Sequence, residues 1–279
     1  MSLEIARYSR ALTDDGSEVG PRRELHDARR GYLPLYEELK RLYPNLVGKG
    51  PTWRTGYRDV VHLAHGWYLR CHRGVEAIVL LGDAGYAEEA SPIRRSVIEH
   101  VLALKWLSIE GDKILDTVAR GHAADARKRG DAISAANWTS VDLAEVEKTI
   151  ARIDPDSRDR HNDHLLHFAQ RLAKYGDEHT MPGYLAENAR AHPSFESAVC
   201  YVEHQTGTLM WQSPQSLWQV PFATTHLLEA LLALQQALDP DPWDPELDGI
   251  VERYLATTDE VRKQDGLPPV DWSTGKVRE

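Results

Sequence analysis

Residues 92–100 read PIRRSVIEH, a stretch that places two arginines, a glutamate and a histidine in an otherwise apolar helical segment. At about 100° per residue, Arg95, Glu99 and Trp106 share one face of that helix. Apolar residues also occupy the roughly opposite face, namely Ile93, Val97, Leu104 and Leu107. A helix that is apolar on two faces lies at the centre of a bundle. We therefore predict a central helix over residues 92–107, with Arg95 and Glu99 at least partly buried.

Helical spacing of apolar residues recurs along the rest of the chain, between breaks supplied by glycine and proline. It predicts helices over 25–42, 57–81, 86–109, 113–136, 142–153, 183–191, 222–238 and 246–262, with one more inside 156–176, and residues 194–203 continue the bundle. Pro92 either kinks its helix or begins a new one, with Ser91 as the cap. No segment shows the alternation typical of a strand. The predicted fold is all-α, a single multi-helix bundle of about eight or nine helices with no significant β-sheet.

Composition divides the chain into a leader, a bundle and a tail. Residues 1–21 are polar and carry two glycines, which predicts a flexible leader. The helical bundle domain is expected over residues 22–263, and residues 264–279 form a polar C-terminal tail. A chain of 279 residues is long enough to bury a substantial core as one domain.

Charge and cysteine content narrow the class of protein. The formal net charge of −10 argues against an extensive nucleic-acid surface, although it allows a local basic pocket. Only Cys71 and Cys200 are present, so no disulfide framework is expected and a reducing compartment fits. No signal-peptide pattern and no apolar run of bilayer length occurs in the sequence. These features predict a soluble, cytoplasmic protein with no membrane partner.

Arg95 and Glu99 admit three interpretations, because a buried charge without a partner costs several kcal/mol. They are an internal ion pair that fixes the register of the helix. Alternatively, they line a polar pocket in which the Arg95 guanidinium binds an anionic ligand. In the third interpretation, Arg95 extends along the apolar surface and reaches solvent.

The segment GYAEEASPIRRSVIEH, residues 85–100, resembles the signature of a family of uncharacterised, all-helical bacterial proteins. That signature has a glycine and an aromatic residue, then Arg-Ser, with a glutamate four residues after the arginine. Farther along, such proteins carry a tyrosine, a small polar residue and a His-Pro-Ser step. The matching residues here are Tyr184, Asn188, His192, Pro193 and Ser194, with asparagine where the family usually has serine. The resemblance covers the helix order of residues 57–240, and it implies that Arg95, Glu99 and His192 converge without implying an activity.

These motifs predict a polar cluster in the core, where Arg95, Glu99 and His192 meet and Tyr184 approaches from two turns before His192. An arginine has five donors and one glutamate accepts two at best, so further acceptors must come from other helices. The candidate ligand-binding residues are Arg95, Glu99, His100, Tyr184, His192 and Ser194. The expected ligand is a small anion, whereas catalytic residues and cofactors remain unknown at this point.

One alternative comes from the spacing of Arg95 and His100, which resembles the Arg–His motif of higher-eukaryote-and-prokaryote-nucleotide-binding (HEPN) proteins. In such a metal-independent ribonuclease, the histidine handles the 2′-hydroxyl proton and the arginine stabilises phosphate charge. A regular helix separates Arg95 and His100 by about 140°. The two side chains can therefore meet only if the helix is distorted or if one of them comes from a partner subunit. This interpretation is thus compatible with a homo-oligomer.

A second alternative is a metal-binding helical-bundle enzyme. The predicted helix over residues 57–81 carries His62, His65, His72 and Glu76 within one face. Imidazole and carboxylate groups one turn apart can chelate a divalent metal, and helical bundles build such sites. These four residues are the candidate metal ligands.

Overall fold

The structure, a computed structural model, describes residues 21–138, 142–153, 160–177, 180–203, 206–210, 218–268, 270–271 and 276–277. The α-helices are α1 (Pro21–Val47), α2 (Val61–Asp83), α3 (Ser91–Glu110), α4 (Leu115–Ala135), α5 (Leu143–Ile153), α6 (Phe168–Tyr175), α7 (Thr180–Ala191), α8 (Phe195–Val199), α9 (Gln219–Gln235) and α10 (Glu246–Gln264). Two 3₁₀ helices, Gly111–Ile114 and Asp163–Leu166, precede α4 and α6. The fold is all-α, as predicted.

Helices α3 and α9 form the centre of the bundle. Helix α9 packs against α1, α2 and α3, and α3 also packs against α6 and α7. Most of the apolar residues that the sequence placed on two faces of α3 are buried, including Trp106 and Leu104, and they meet Leu227 and Leu231 of α9 in one hydrophobic cluster, against which the partly buried Ile93 packs. Burial of each such side chain contributes about 1.5–3 kcal/mol. The prediction of a central helix over residues 92–107 is confirmed.

Pro92 begins a new helix and does not kink a longer one, because α3 starts at Ser91 with the proline in its first turn. The predicted cap is wrong, however. Ala90 occupies the cap position without a side-chain hydrogen bond, and the Ser91 hydroxyl points instead towards Glu187 of α7. The first turn of α3 is thereby tied to another helix and not to its own backbone.

Helix α1 runs past its predicted end at residue 42 and includes Pro44 in its last turns. Proline has no backbone N–H, so the Lys40 carbonyl loses its usual helical donor four residues later. The imidazole of His72 compensates, because its Nε2 lies 3.2 Å from the Lys40 carbonyl oxygen. Packing of α2 against α1 thus allows the helix to continue through the proline.

The C-terminal end of α3 is fixed to the N-terminal end of α2. The Asp112 backbone N–H donates to the Gly56 carbonyl at 2.7 Å, and the Asp112 side chain accepts from the backbone N–H groups of Asp59 and Val60. Gly111 makes this junction possible, because its φ of +58° lies in the region that favours glycine. This contact fixes the position of α3 along the axis of α2.

The structure describes little of the predicted leader and part of the predicted tail. The predicted leader, residues 1–21, lies outside the described residues except for Pro21, where α1 begins. In the predicted tail, β1 (Val270–Asp271) pairs antiparallel with β2 (Lys276–Val277). Strands of two residues are too short to show an alternating pattern, so the sequence could not reveal them.

Candidate functional site

Helices α3 and α7 bring four of the predicted residues together as the Arg95 cluster, which consists of Arg95, Glu99, Tyr184 and His192. Arg95 Nε donates to Glu99 Oε1 at 3.2 Å, and Arg95 Nη1 donates to His192 Nε2 at 2.9 Å. The Tyr184 hydroxyl donates to the same Glu99 oxygen at 3.2 Å. A guanidinium can only donate, so the His192 imidazole in this cluster is neutral and accepts through Nε2. The predicted convergence of Arg95, Glu99 and His192 is present.

The Arg95 cluster does not lie in the core, which corrects the expectation from the sequence. The Arg95 and Glu99 side chains are 30% and 33% exposed, and His192 is exposed. Helix α7 covers this part of α3 and is itself at the surface, as the largely exposed side chain of Leu185 shows. Trp106 and Glu99 therefore lie on the same face of α3 in different surroundings. The face is covered by α6 at Trp106, and it is open to solvent two turns earlier, at Glu99.

Aromatic rings support the cluster from α6 and α7. The Arg95 guanidinium carbon lies 5.3 Å from the centroid of the Tyr184 ring, a cation–π contact. The Phe168 ring stacks on Tyr184 with centroids 3.9 Å apart. Burial raises the pKa of Tyr184, and the Glu99 carboxylate raises it further, so the hydroxyl stays a neutral donor. Arg95 is thus held by contacts from Tyr184 and His192, and Phe168 of α6 supports the Tyr184 ring.

The buried ion pair of this region involves Arg94, which the sequence interpretation passed over. Arg94 Nε lies 2.8 Å from Glu187 Oε2, and the two side chains are only 6% and 12% exposed. The Ser91 hydroxyl donates to the same carboxylate oxygen at 2.7 Å, and Arg94 Nη1 donates to the Ala87 carbonyl at 2.6 Å. A signal was available, because Ser91 and Arg94 are three residues apart and therefore adjacent on the helix. This pair joins α3 to α7.

A second arginine that the sequence did not single out lies on α6. The Arg171 guanidinium carbon is 5.8 Å from the centroid of the Trp106 ring, and its Nη1 donates to the Leu166 carbonyl at a long 3.5 Å. Arg171 Nε and Trp106 Nε1 are both buried without an acceptor in the part of the chain that the structure describes. Burial lowers the pKa of Arg171, and the Glu99 carboxylate opposes that change. The guanidinium remains charged nonetheless.

Two of the six candidate ligand-binding residues do not join the cluster. His100 Nδ1 donates to the Ser96 carbonyl at 2.7 Å, and burial lowers the pKa of His100, although the bond to Ser96 opposes that shift. Ser194 caps α8, because its Oγ accepts from the Ser197 backbone N–H at 3.1 Å and donates to the Ala189 carbonyl. Both side chains are hydrogen-bonded to neighbouring residues of their own segments.

Two of the four candidate metal ligands on α2, His65 and His72, are hydrogen-bonded to α1 in the structure. His65 Nδ1 pairs with the Tyr43 hydroxyl at 2.5 Å, and His72 Nε2 serves the Lys40 carbonyl. Glu76 lies 3.6 Å from His72, and His62 is exposed. Among the described residues, no group of three or more suitable side chains could hold a metal ion. The face of α2 that carries these residues packs against α1, and polar atoms of α1 hydrogen-bond to the imidazole nitrogens of His65 and His72.

A cavity of about 270 Å³ lies beside the first turn of α3, with Glu88, Pro92, Arg190, Cys200 and Tyr201 in its lining. The Cys200 thiol donates to the Ser197 carbonyl at 3.2 Å, and burial raises the pKa of that thiol. A protonated thiol is a poor nucleophile. This cavity therefore offers no activated cysteine.

The fold and the Arg95 cluster define an all-α bundle protein with a half-exposed polar site between two helices. Residues 61–208 match DUF5677, a family of unknown function, over more than half of the chain. The chain belongs to this family, which agrees with the predicted resemblance to an uncharacterised family. Comparison with curated proteins and with solved structures finds no match. None of the helices in the described residues has both the length and the apolar composition needed to cross a bilayer.

Proposed function

We propose that the Arg95 cluster binds a small anionic ligand. The observation that carries this proposal is the position of the Arg95 guanidinium, which is partly exposed and yet held by three side chains. Two of its five N–H groups donate to Glu99 and His192, and a contact with the Tyr184 hydroxyl takes at most one more. At least two N–H groups remain for a ligand. A guanidinium held in place loses little entropy on binding a carboxylate or phosphate.

A structural role for the cluster has less support. The buried pair of Arg94 and Glu187 already connects α3 with α7 at the same level. The pair of Arg95 and Glu99 lies within one helix and is about one third exposed, so it contributes at most about 1 kcal/mol. Holding an exposed arginine with a histidine, a tyrosine and a glutamate is a costly arrangement for so little stability, and ligand binding explains it.

The ribonuclease alternative gains no support from the geometry. Arg95 and His100 lie on different faces of α3, and they have separate partners, Glu99 and His192 for the arginine and Ser96 for the histidine. A catalytic pair would have to converge on one phosphate. We therefore place anion binding first.

The proposal predicts that Arg95→Gln weakens anion binding by at least about tenfold, because it removes the guanidinium fork. Isothermal titration calorimetry with acetate, benzoate, sulfate and phosphate measures the affinities. Arg129→Gln, which removes the same charge from an exposed position on α4, is the matched control and should bind like the wild type. If none of the four anions binds, or if both variants bind equally well, the cluster is not an anion site.

A further inference from the structure

Arg171 and Trp106 together present buried donors without acceptors. Trp106 is 1% exposed, and its Nε1 has no hydrogen-bond partner among the described residues. Arg171 Nε has none either, and within the described part of the chain no carboxylate lies within ion-pair distance of its guanidinium. Each buried donor left unpaired costs about 1–3 kcal/mol. Natural proteins pair such groups with their own atoms, with ordered water or with a ligand, so two neighbouring donors of this kind mark a place where the acceptor of a ligand can bind.

This pair adjoins the Arg95 cluster. Phe168, which stacks on Tyr184, precedes Arg171 by one turn on α6. Trp106 follows Glu99 by two turns on the same face of α3. The electrostatic effect of the Glu99 carboxylate on Arg171 is further evidence that they are close. The donors of Arg171 and Trp106 therefore form the inner end of one polar region, and Arg95 forms its outer end.

The charges in this region leave one positive charge uncompensated. Glu99 neutralises Arg95 at 3.2 Å, and His192 is neutral because it accepts from the guanidinium. His100, whose pKa is lowered by burial, adds no charge at neutral pH. Arg70, whose charge also acts on His100, is exposed to solvent, so among the described groups the guanidinium of Arg171 is the buried positive charge that remains unbalanced. A ligand with a single negative charge would neutralise the region, whereas a dianion would leave an excess negative charge beside Glu99.

We infer that the ligand of this site is a monocarboxylate whose carboxylate group binds between Arg171 and the Trp106 N–H. This inference rests on the proposed function and specifies its ligand class. The side of a guanidinium that carries Nε–H matches the two oxygens of a carboxylate. The free N–H groups of Arg95 donate to the outer carboxylate oxygen, and the rest of the ligand lies against the rings of Phe168 and Tyr184.

The test compares benzoate with phenyl phosphate by calorimetry at about pH 8, where the phosphate carries close to two charges. We expect benzoate to bind at least about tenfold more tightly, and Trp106→Phe to weaken benzoate binding by several-fold through loss of one N–H donor. Arg171→Met should abolish benzoate binding while keeping or raising the melting temperature of the ligand-free protein, because it removes an unpaired buried charge.

Tighter binding of phenyl phosphate that still depends on Arg95 would overturn the monocarboxylate inference and leave the proposed function intact. Unchanged benzoate binding in Trp106→Phe would also overturn the inference, whether or not Arg171→Met folds. A lower melting temperature of ligand-free Arg171→Met would assign Arg171 to structure and contradict the inference as well. Failure of every anion to bind removes both proposals.

Discussion

Replacement of Glu187 by alanine is expected to destabilise the protein by about 3–5 kcal/mol, the largest effect that we predict. The change leaves the Arg94 guanidinium buried without its carboxylate, and the Ser91 hydroxyl loses its acceptor in the same carboxylate. Helices α3 and α7 then lose the ion pair that joins them. Urea unfolding followed by circular dichroism gives the free energy of unfolding.

Glu99→Ala is the matched control, because Glu99 pairs with the neighbouring Arg95 on the same helix. Since both side chains of that pair are about one third exposed, the loss should not exceed about 1 kcal/mol. The double variant Arg94→Met/Glu187→Leu removes both buried charges and should recover most of the stability that Glu187→Ala loses. Equal costs for Glu187→Ala and Glu99→Ala would show that the structural and binding roles of the two pairs are assigned wrongly.

The second large effect is expected at Gly111, where alanine should cost roughly 2–4 kcal/mol. A Cβ at this position would lie 2.3 Å from the Gly56 carbonyl oxygen, and the backbone φ of +58° is itself unfavourable for alanine. The contact between Asp112 and Gly56 that fixes α3 against α2 would have to open. Thermal and urea unfolding both report the loss.

Gly183→Ala provides the control for this substitution. Gly183 lies within α7, and a Cβ there would meet no atom within 4 Å. The helical propensity of alanine should stabilise the protein by about 0.4–1 kcal/mol. A similar loss at both positions would mean that the close approach at Gly111 is not what determines the effect.

The sequence predicted the fold well because the helices show their periodicity and their breaks. The two apolar faces of α3 identified it as central, and Trp106 is buried as expected. Features that depend on contacts between distant segments were missed. The continuation of α1 through Pro44 depends on His72 from the next helix, and nothing within residues 21–47 shows it.

Prediction of the site succeeded for one arginine and failed for its neighbour. The resemblance carried by the Arg-Ser and His-Pro-Ser motifs implied that Arg95 meets His192, and the two side chains are in contact. Arg94 and Arg95 are adjacent residues about 100° apart on the helix. Which of them is buried depends on the side at which α7 packs, and helical periodicity does not determine that side. Arg171 was missed for the same reason, because its position over Trp106 follows from the packing of α6 on α3.

The two neighbouring arginines of α3 divide two tasks between them. Arg94 points inwards and joins helices through Glu187, and Arg95 points towards solvent and is held ready by Glu99 and His192. In the proposed function, this arrangement places the anion-binding group on a rigid, buried helix, which limits the movement of the Arg95 guanidinium. The stability of the bundle and the affinity of the site should therefore respond to different substitutions.

The most direct test of anion binding at the Arg95 cluster is a crystal structure of the protein with 4-bromobenzoate, in which the bromine is located by anomalous scattering. We expect a bromine peak beside Phe168 and Tyr184, with a carboxylate oxygen within about 2.7–3.2 Å of a guanidinium nitrogen atom of Arg95. A bound molecule located only elsewhere, or an empty cluster at a concentration that saturates binding in solution, would contradict the assignment of this site.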